Sequence, residues 1–142
     1  MKISYVPIGN LAGLIPALLP YLDKSVKWSA GRVNADDILR LLLTDMLQLW
    51  VVHEGQTVHG FFGLEVKQYP QCKMLAIQYC AMHTGTLELV EEDMMLIAED
   101  IAKQSGCAGV EFVGHPGWKK IVDEHDYAIQ SVMYQKFFKE SA

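Results

Sequence analysis

The chain has little with which to hold nucleic acid: of its twelve basic residues only Arg32 and Arg40 are arginines, against seventeen acidic residues and a net charge of −5. No basic stripe is available to neutralise phosphates, so nucleic acid is not an expected partner. Cysteine is scarce too. Cys72, Cys80 and Cys107 are an odd number, with no CxxC pair and no zinc-type Cys/His spacing. Neither a disulfide framework nor a metal centre is implied, and a reducing compartment suits them. Repeats and low-complexity tracts are missing. The 142 residues, 51% apolar, suffice for one hydrophobic core and not for two, so residues 1–142 read as one domain.

One run lacks charge altogether, residues 3–22, about the length of a membrane helix or an export signal. Gly9, Asn10, Gly13 and the prolines at 7, 16 and 20 interrupt it, and no small-x-small cleavage pattern follows, because Trp28 precedes Ser29 and Ala30. It reads as a buried strand followed by a helix. The expectation is a cytoplasmic protein without signal peptide or membrane contact.

What is present is punctuated by changes of hydrophobic period. Residues 2–7 predict a strand, and an apolar helix runs from Gly9 or Asn10 to about Leu22, followed by a polar connection to Val33. Asn34 is a good N-cap, with Asp36 and Asp37 in the first turn, and predicts a helix over 35–43. Residues 47–53 and 58–67 are rich in β-branched and aromatic side chains around a Gly55-Gln56 turn and predict a hairpin. That turn pairs 53 with 58 and 52 with 59, which sends His53 and His59 to opposite faces and argues against a metal pair. A third antiparallel strand covers 73–82.

Leu87, Val90, Met94, Ile97 and Ile101 then recur every three or four residues, with carboxylates on the other face, so a helix spans 87–105 and ends at Gly106. A buried strand over 109–113, a short helix over 117–125 and a last strand over 128–138 complete the order β-α-α-β-β-β-α-β-α-β. This is an α/β domain with a mixed sheet, in which the helical crossover makes strands 73–82 and 109–113 parallel.

This order resembles the GNAT superfamily of N-acetyltransferases over almost the whole chain. The resemblance implies a three-layer fold, a central mixed sheet of about six strands flanked by about four helices. It also implies a wedge between the fourth and fifth strands where acetyl-CoA lies, its pyrophosphate on backbone amides at the following helix. His115, Trp118, Val122, Asp126 and Tyr127 hold the places where the family often has Asn, a small residue, the general-acid Tyr and Gly-Phe. Val122 cannot donate a proton, so an active member would use Tyr127 or Tyr134 as acid and Glu111 or a water as base. Setting Met94 and Met95 on the family's paired apolar residues puts Leu87, Leu89 and Glu91 at the glycine positions of the CoA loop, and Thr86 at its Arg/Gln. Glycine lets the backbone approach the pyrophosphate, and the side chains here block it. Glu88, Glu91, Glu92 and Asp93 add repulsion of roughly 1 kcal/mol per like-charge pair at about 5 Å even in water. A shortened loop, residues 82–86, offers one glycine, Gly85.

Degenerate domains of this kind are similar to small proteins encoded by tailed bacteriophages. The resemblance implies a catalytically silent member acting through protein–protein contacts, with phage structural proteins or itself, in the host cytoplasm or the virion, and with no cofactor. The alternative is an acetyl-CoA-dependent N-acetyltransferase with an atypical loop, for which Gln78, Tyr79, His83, Gly85 and His115 are the cofactor-contacting candidates.

Each candidate also has a plainer reading. His115 and Trp118 form a candidate interaction site at a strand end, or a rigid turn with Trp118 in the core. Glu111 and Glu65 could be bases or solvent-facing strand residues. Met94, Met95 and Leu96 run continuously, so one of them points outward, and Met95 is taken as an interface candidate together with Phe137. The acidic face of helix 87–105 is a solvated face or a dock for a basic partner. His83 and His125 stand isolated in the sequence, and Cys107 reads as a small buried hydrophobe.

Overall fold

A computed structural model describes residues 1–114 and 118–138. Strand β1 (Lys2–Val6) leads through two short 3-10 turns into helix α1 (Ile15–Val26) and helix α2 (Ala35–Leu43). Strands β2 (Gln48–Glu54), β3 (Thr57–Gln68) and β4 (Lys73–Met82) follow, then helix α3 (Leu87–Gln104), strand β5 (Gly109–Phe112) and helix α4 (Lys119–Glu124).

The α1 boundary departs from the expectation at both ends. Its start is delayed to Ile15 because Pro16 suits a helix's first turn and Gly9 and Gly13 do not hold the turns before it. Its end runs on to Val26 because Leu18 and Leu22 are buried at a four-residue spacing that Val26 continues. Asn34 caps α2 reciprocally: its side chain accepts from the Asp37 amide at 2.9 Å, and Asp37 accepts from the Asn34 amide at 3.0 Å.

The five strands lie in sequence order, β1-β2-β3-β4-β5, antiparallel except for the parallel pair β4–β5. One face carries Phe62, Leu64, Leu75 and Ile77 against Val90, Met94, Met95 and Ala98 of α3 and Ile121 of α4. The opposite face carries Leu49, Val51, Phe61 and Ala81 against Leu18 and Leu22 of α1 and Ile38 and Leu42 of α2. Phe61 and Phe62 are both 0% exposed, because a strand covered on two faces buries both of its alternating sets. The result is the expected three-layer α/β fold.

The expected sixth strand, 128–138, is a correction. Among the described residues it pairs with no strand, and every one of its side chains is exposed. Its alternating apolar pattern supplies strand propensity, but propensity makes no strand without a neighbouring edge to receive the backbone groups. No described helix is long and apolar enough to cross a membrane.

Candidate functional site

Two bulges shape the centre of the sheet. Gly63 pairs with Tyr79 and Leu64 with Ile77, so Gln78 is the extra residue in β4. Ile77 is also the last β4 residue paired with β5, opposite Phe112. Phe112 is also where β5 ends, so beyond Ile77 β4 continues through Met82 with no partner on that side among the described residues. The second bulge corrects the hairpin register: 53 pairs with 58 as expected, but Val52 pairs with Gly60 and leaves His59 unopposed. Gly60, at φ +159°, lies so close to β4 that a Cβ there would stand 2.6 Å from Met82 Cγ.

The side chains at the C-terminal end of β5 pack on one another. Trp118 is 9% exposed and packs at 5.0 Å, ring centre to ring centre, on Phe112, whose other neighbour is Tyr127 at 5.3 Å. These aromatics belong to one packed cluster with Met82, Val90 and Met94. Trp118 is therefore core, which corrects its reading as an interaction residue; its large apolar ring is buried on Phe112 at the end of β5. Cys80 faces the same cluster, and burial pushes its thiol up to about 12. The Tyr127 hydroxyl is shielded from solvent with no hydrogen-bond partner among the described residues. Burial, followed by the charge of nearby Glu99, raises its pKa to about 12. Glu99 acts on it by proximity without reaching bonding geometry.

The connection from β4 to α3 is residues 83–86. Its turn is made by Gly85 at φ +84°, where a side chain would strain the backbone. The Thr86 amide donates to the His83 carbonyl and the Leu89 amide to the Thr86 carbonyl, both at 3.0 Å. Two of the amides at this helix start are thus committed within the protein. Leu87, Leu89 and Glu91, set at the glycine places of a CoA loop, lie inside α3, and Leu89 projects at 71% exposure. With Glu88 and Glu92 exposed beside it, this helix start does not fit a pyrophosphate.

The remaining candidates are dispersed. Glu111 accepts from the Tyr69 hydroxyl at 2.8 Å, and that bond raises the Tyr69 pKa. Phe112, its neighbour on β5, faces the α3 cluster with Tyr127, so Glu111 points to the opposite side of the sheet. The expected base and the expected acid Tyr127 are therefore separated by the sheet. Tyr134 is 90% exposed and belongs to neither core cluster. Tyr79 packs with the α1–α2 cluster, and Gln78 stands half-buried at the bulge. His115 lies outside the described residues.

Met95 is 0% exposed and corrects its assignment to an interface. Leu96, at 59%, is the outward member of that run, since Met94 and Met95 both fall on the wide apolar stripe facing the sheet. Phe137 is 65% exposed, with Arg32 5.7 Å above its ring.

Sequence reasoning missed three convergences. Lys24 donates to the Met82 carbonyl and ties α1 to the end of β4. His83 is not isolated: its ring lies 6.3 Å from that of His59. Nor is His125, whose ligand atoms fall with those of Glu91 and Glu124 within 4.8 Å of one another. Glu124 already has Lys120 at 3.9 Å. None of these had a local signal, because each joins residues from separate elements. Among the described residues a small cavity of about 10 Å³ lies beside Leu11 and Leu42, and an open groove of about 360 Å³ lies between Met46, Glu65 and Ile101.

No family profile and no curated protein matches the chain. Solved structures do. A GCN5-related N-acetyltransferase from Ralstonia eutropha JMP134 superposes with a TM-score of 0.71 at 16% identity, over 96% of this chain and 97% of that one. A probable acetyltransferase gives 0.70 at 10% identity over 100% and 99%. Glucosamine-6-phosphate N-acetyltransferase from Arabidopsis thaliana gives 0.67 at 16% over 97% and 98%. The chain has the GNAT fold, shared with many acetyltransferases.

Proposed function

We propose that this chain is a catalytically silent GNAT-fold protein that works through protein–protein contacts. The observation that carries the reading is the β4–α3 connection. Residues 83–86 offer one glycine, two of the local amides are spent on internal turns, and the next residues present Glu88, Leu89 and Glu92 where a polyanion would have to sit. The separation of Glu111 from Tyr127 across the sheet supports the same reading. The assembly class implied by the sequence resemblance is a tailed-phage virion or its assembly apparatus, and recovery of the chain within purified particles tests that part.

A second reading, acetyl-CoA-dependent N-acetyltransferase activity, draws on the bulge at Gln78 and the parting of β4 from β5 after Ile77, and on the acetyltransferase names of the structural neighbours. A thermal shift titration with acetyl-CoA to millimolar, checked by calorimetry, separates the two. Ligand at 100 times its Kd adds about 2.7 kcal/mol of stability. We expect no shift. A saturable one would overturn the silent reading and make the acceptor amine the next question.

A further inference from the structure

The negative charge of this chain is concentrated on one helix. Residues 87–100 of α3 hold six acidic residues, Glu88, Glu91, Glu92, Asp93, Glu99 and Asp100, and no basic one. The other 128 residues hold eleven acidic and twelve basic, a net of +1, so the whole deficit of −5 comes from α3. Glu91 meets His125 and Glu124, and Glu99 acts on Tyr127. The remaining four, Glu88, Glu92, Asp93 and Asp100, are exposed.

Between those four run Leu89 and Leu96, 71% and 59% exposed. A step of seven residues is two turns less about 20°, so the two leucines form one line along the helix. Met94 and Ala98 of the core lie on the opposite side. At 100° per residue, Glu88 and Glu92 fall on one flank of the line and Asp93 and Asp100 on the other. Beside the wide stripe that faces the sheet, α3 thus carries a narrow apolar ridge turned to solvent between two acidic rows, ended by Lys103 one heptad on. Helix formation does not call for leucine there, because Glu and Lys are nearly as good helix formers.

The charge selects what covers the ridge. A second copy would set the same carboxylates against these, and an anionic lipid surface would be repelled in the same way. We propose that this ridge docks a basic amphipathic helix of another protein, whose apolar residues recur at heptad spacing between lysines and arginines. The leucines supply the apolar contact, and the carboxylates on both flanks set partner choice and register. Residues 87–100 span about 21 Å at 1.5 Å per residue. The complex is therefore of the small, transient class. The inference rests on the protein-contact reading and names the chemistry of the partner.

The probe is a labelled synthetic peptide of about three heptads with leucine at a and d and lysine or arginine at e and g, whose own charge keeps it from pairing with itself. Anisotropy titration should give a dissociation constant in the micromolar range, weakening several-fold between about 0.05 and 0.3 M salt. Leu89→Ser with Leu96→Ser keeps every charge and touches neither core cluster; it should lose at least tenfold in affinity at an unchanged thermal midpoint. Glu92→Gln with Asp93→Asn should lose a similar factor at low salt only. Hydrogen exchange of the wild type should slow on binding within 87–104 and nowhere else. No binding up to millimolar peptide, equal binding by the leucine variant, equal binding of a peptide with alanine for leucine, or protection outside α3 would each overturn the proposal. So would self-association of the chain that the leucine variant abolishes, since it would assign the ridge to a second copy. The acetyl-CoA titration succeeds or fails separately. An unbound peptide without a CoA shift sinks the dock alone, and a bound peptide with a saturable shift sinks the silent reading alone.

Discussion

Replacing Tyr127 by Phe should stabilise this protein. The phenol oxygen is cut off from water and has no partner in hydrogen-bonding geometry among the described residues, while the ring earns its place by edge-on contact with Phe112 at 5.3 Å and 61°. A buried polar group left unmade costs about 1–3 kcal/mol, and the Phe variant keeps the ring packing and deletes the oxygen. Because the residue is half-buried, the lower part of that range applies, a gain of about 1–2 kcal/mol, or about 4 °C in Tm per kcal/mol. Urea unfolding at neutral pH measures it, with an unchanged slope marking an unchanged native state. The pH dependence has a definite sign. The folded pKa, raised from 10.0 to about 12, lies above the unfolded one, so the unfolded chain ionises first. Stability is full below pH 10 and falls as pH rises toward 12. Tyr127→Phe lacks that part of the fall. Loss of 1 kcal/mol or more in the variant at constant slope would refute the reasoning, since it would mean that the hydroxyl is satisfied.

Gly60→Ala places a methyl 2.6 Å from Met82 Cγ and 2.7 Å from the Ala81 carbonyl oxygen, and should cost at least about 2 kcal/mol through overpacking and backbone strain. A neutral result in urea titration would show that β3 and β4 are less closely apposed than described. The thiols should react in a fixed order with a disulfide reagent at pH 8. Cys72, exposed, should react at once; Cys80, with its thiol pushed to about 12 by burial, should follow only as the protein opens. Equally fast reaction at both would mean that the wedge admits solvent, and would favour the acetyltransferase reading.

Much of the fold was legible before any coordinates. The capping residues Asn34 and Asp37, the stripe Val90-Met94-Ile101 and the Gly55-Gln56 turn are local signals, and α2, α3 and the β2–β3 hairpin follow them closely. The parallel partnership of β4 and β5 was legible from the crossover helix between them. Local reasoning failed where a residue's fate depended on its neighbours in space. The bulges at Gln78 and His59 answer to the fit of one strand on the next, and Met95 joined Met94 in the core because the stripe facing the sheet was wide enough for both. The candidate site was less legible than the fold. The glycine-poor start of α3 could be read from the chain, but the burial of Trp118 on Phe112 could not.

The sequence by itself determined the alternation of strands and helices, the three-layer class and the glycine-poor, acidic start of α3, because periodicity, caps and glycine content act within a few residues of one another. Only the tertiary structure decided that Glu111 and Tyr127 face opposite sides of the sheet, that Lys24 meets Met82, and that 128–138 pairs with no strand among the described residues. Those outcomes depend on how whole elements pack and on which backbone edges remain open, and no spacing along a single element records either.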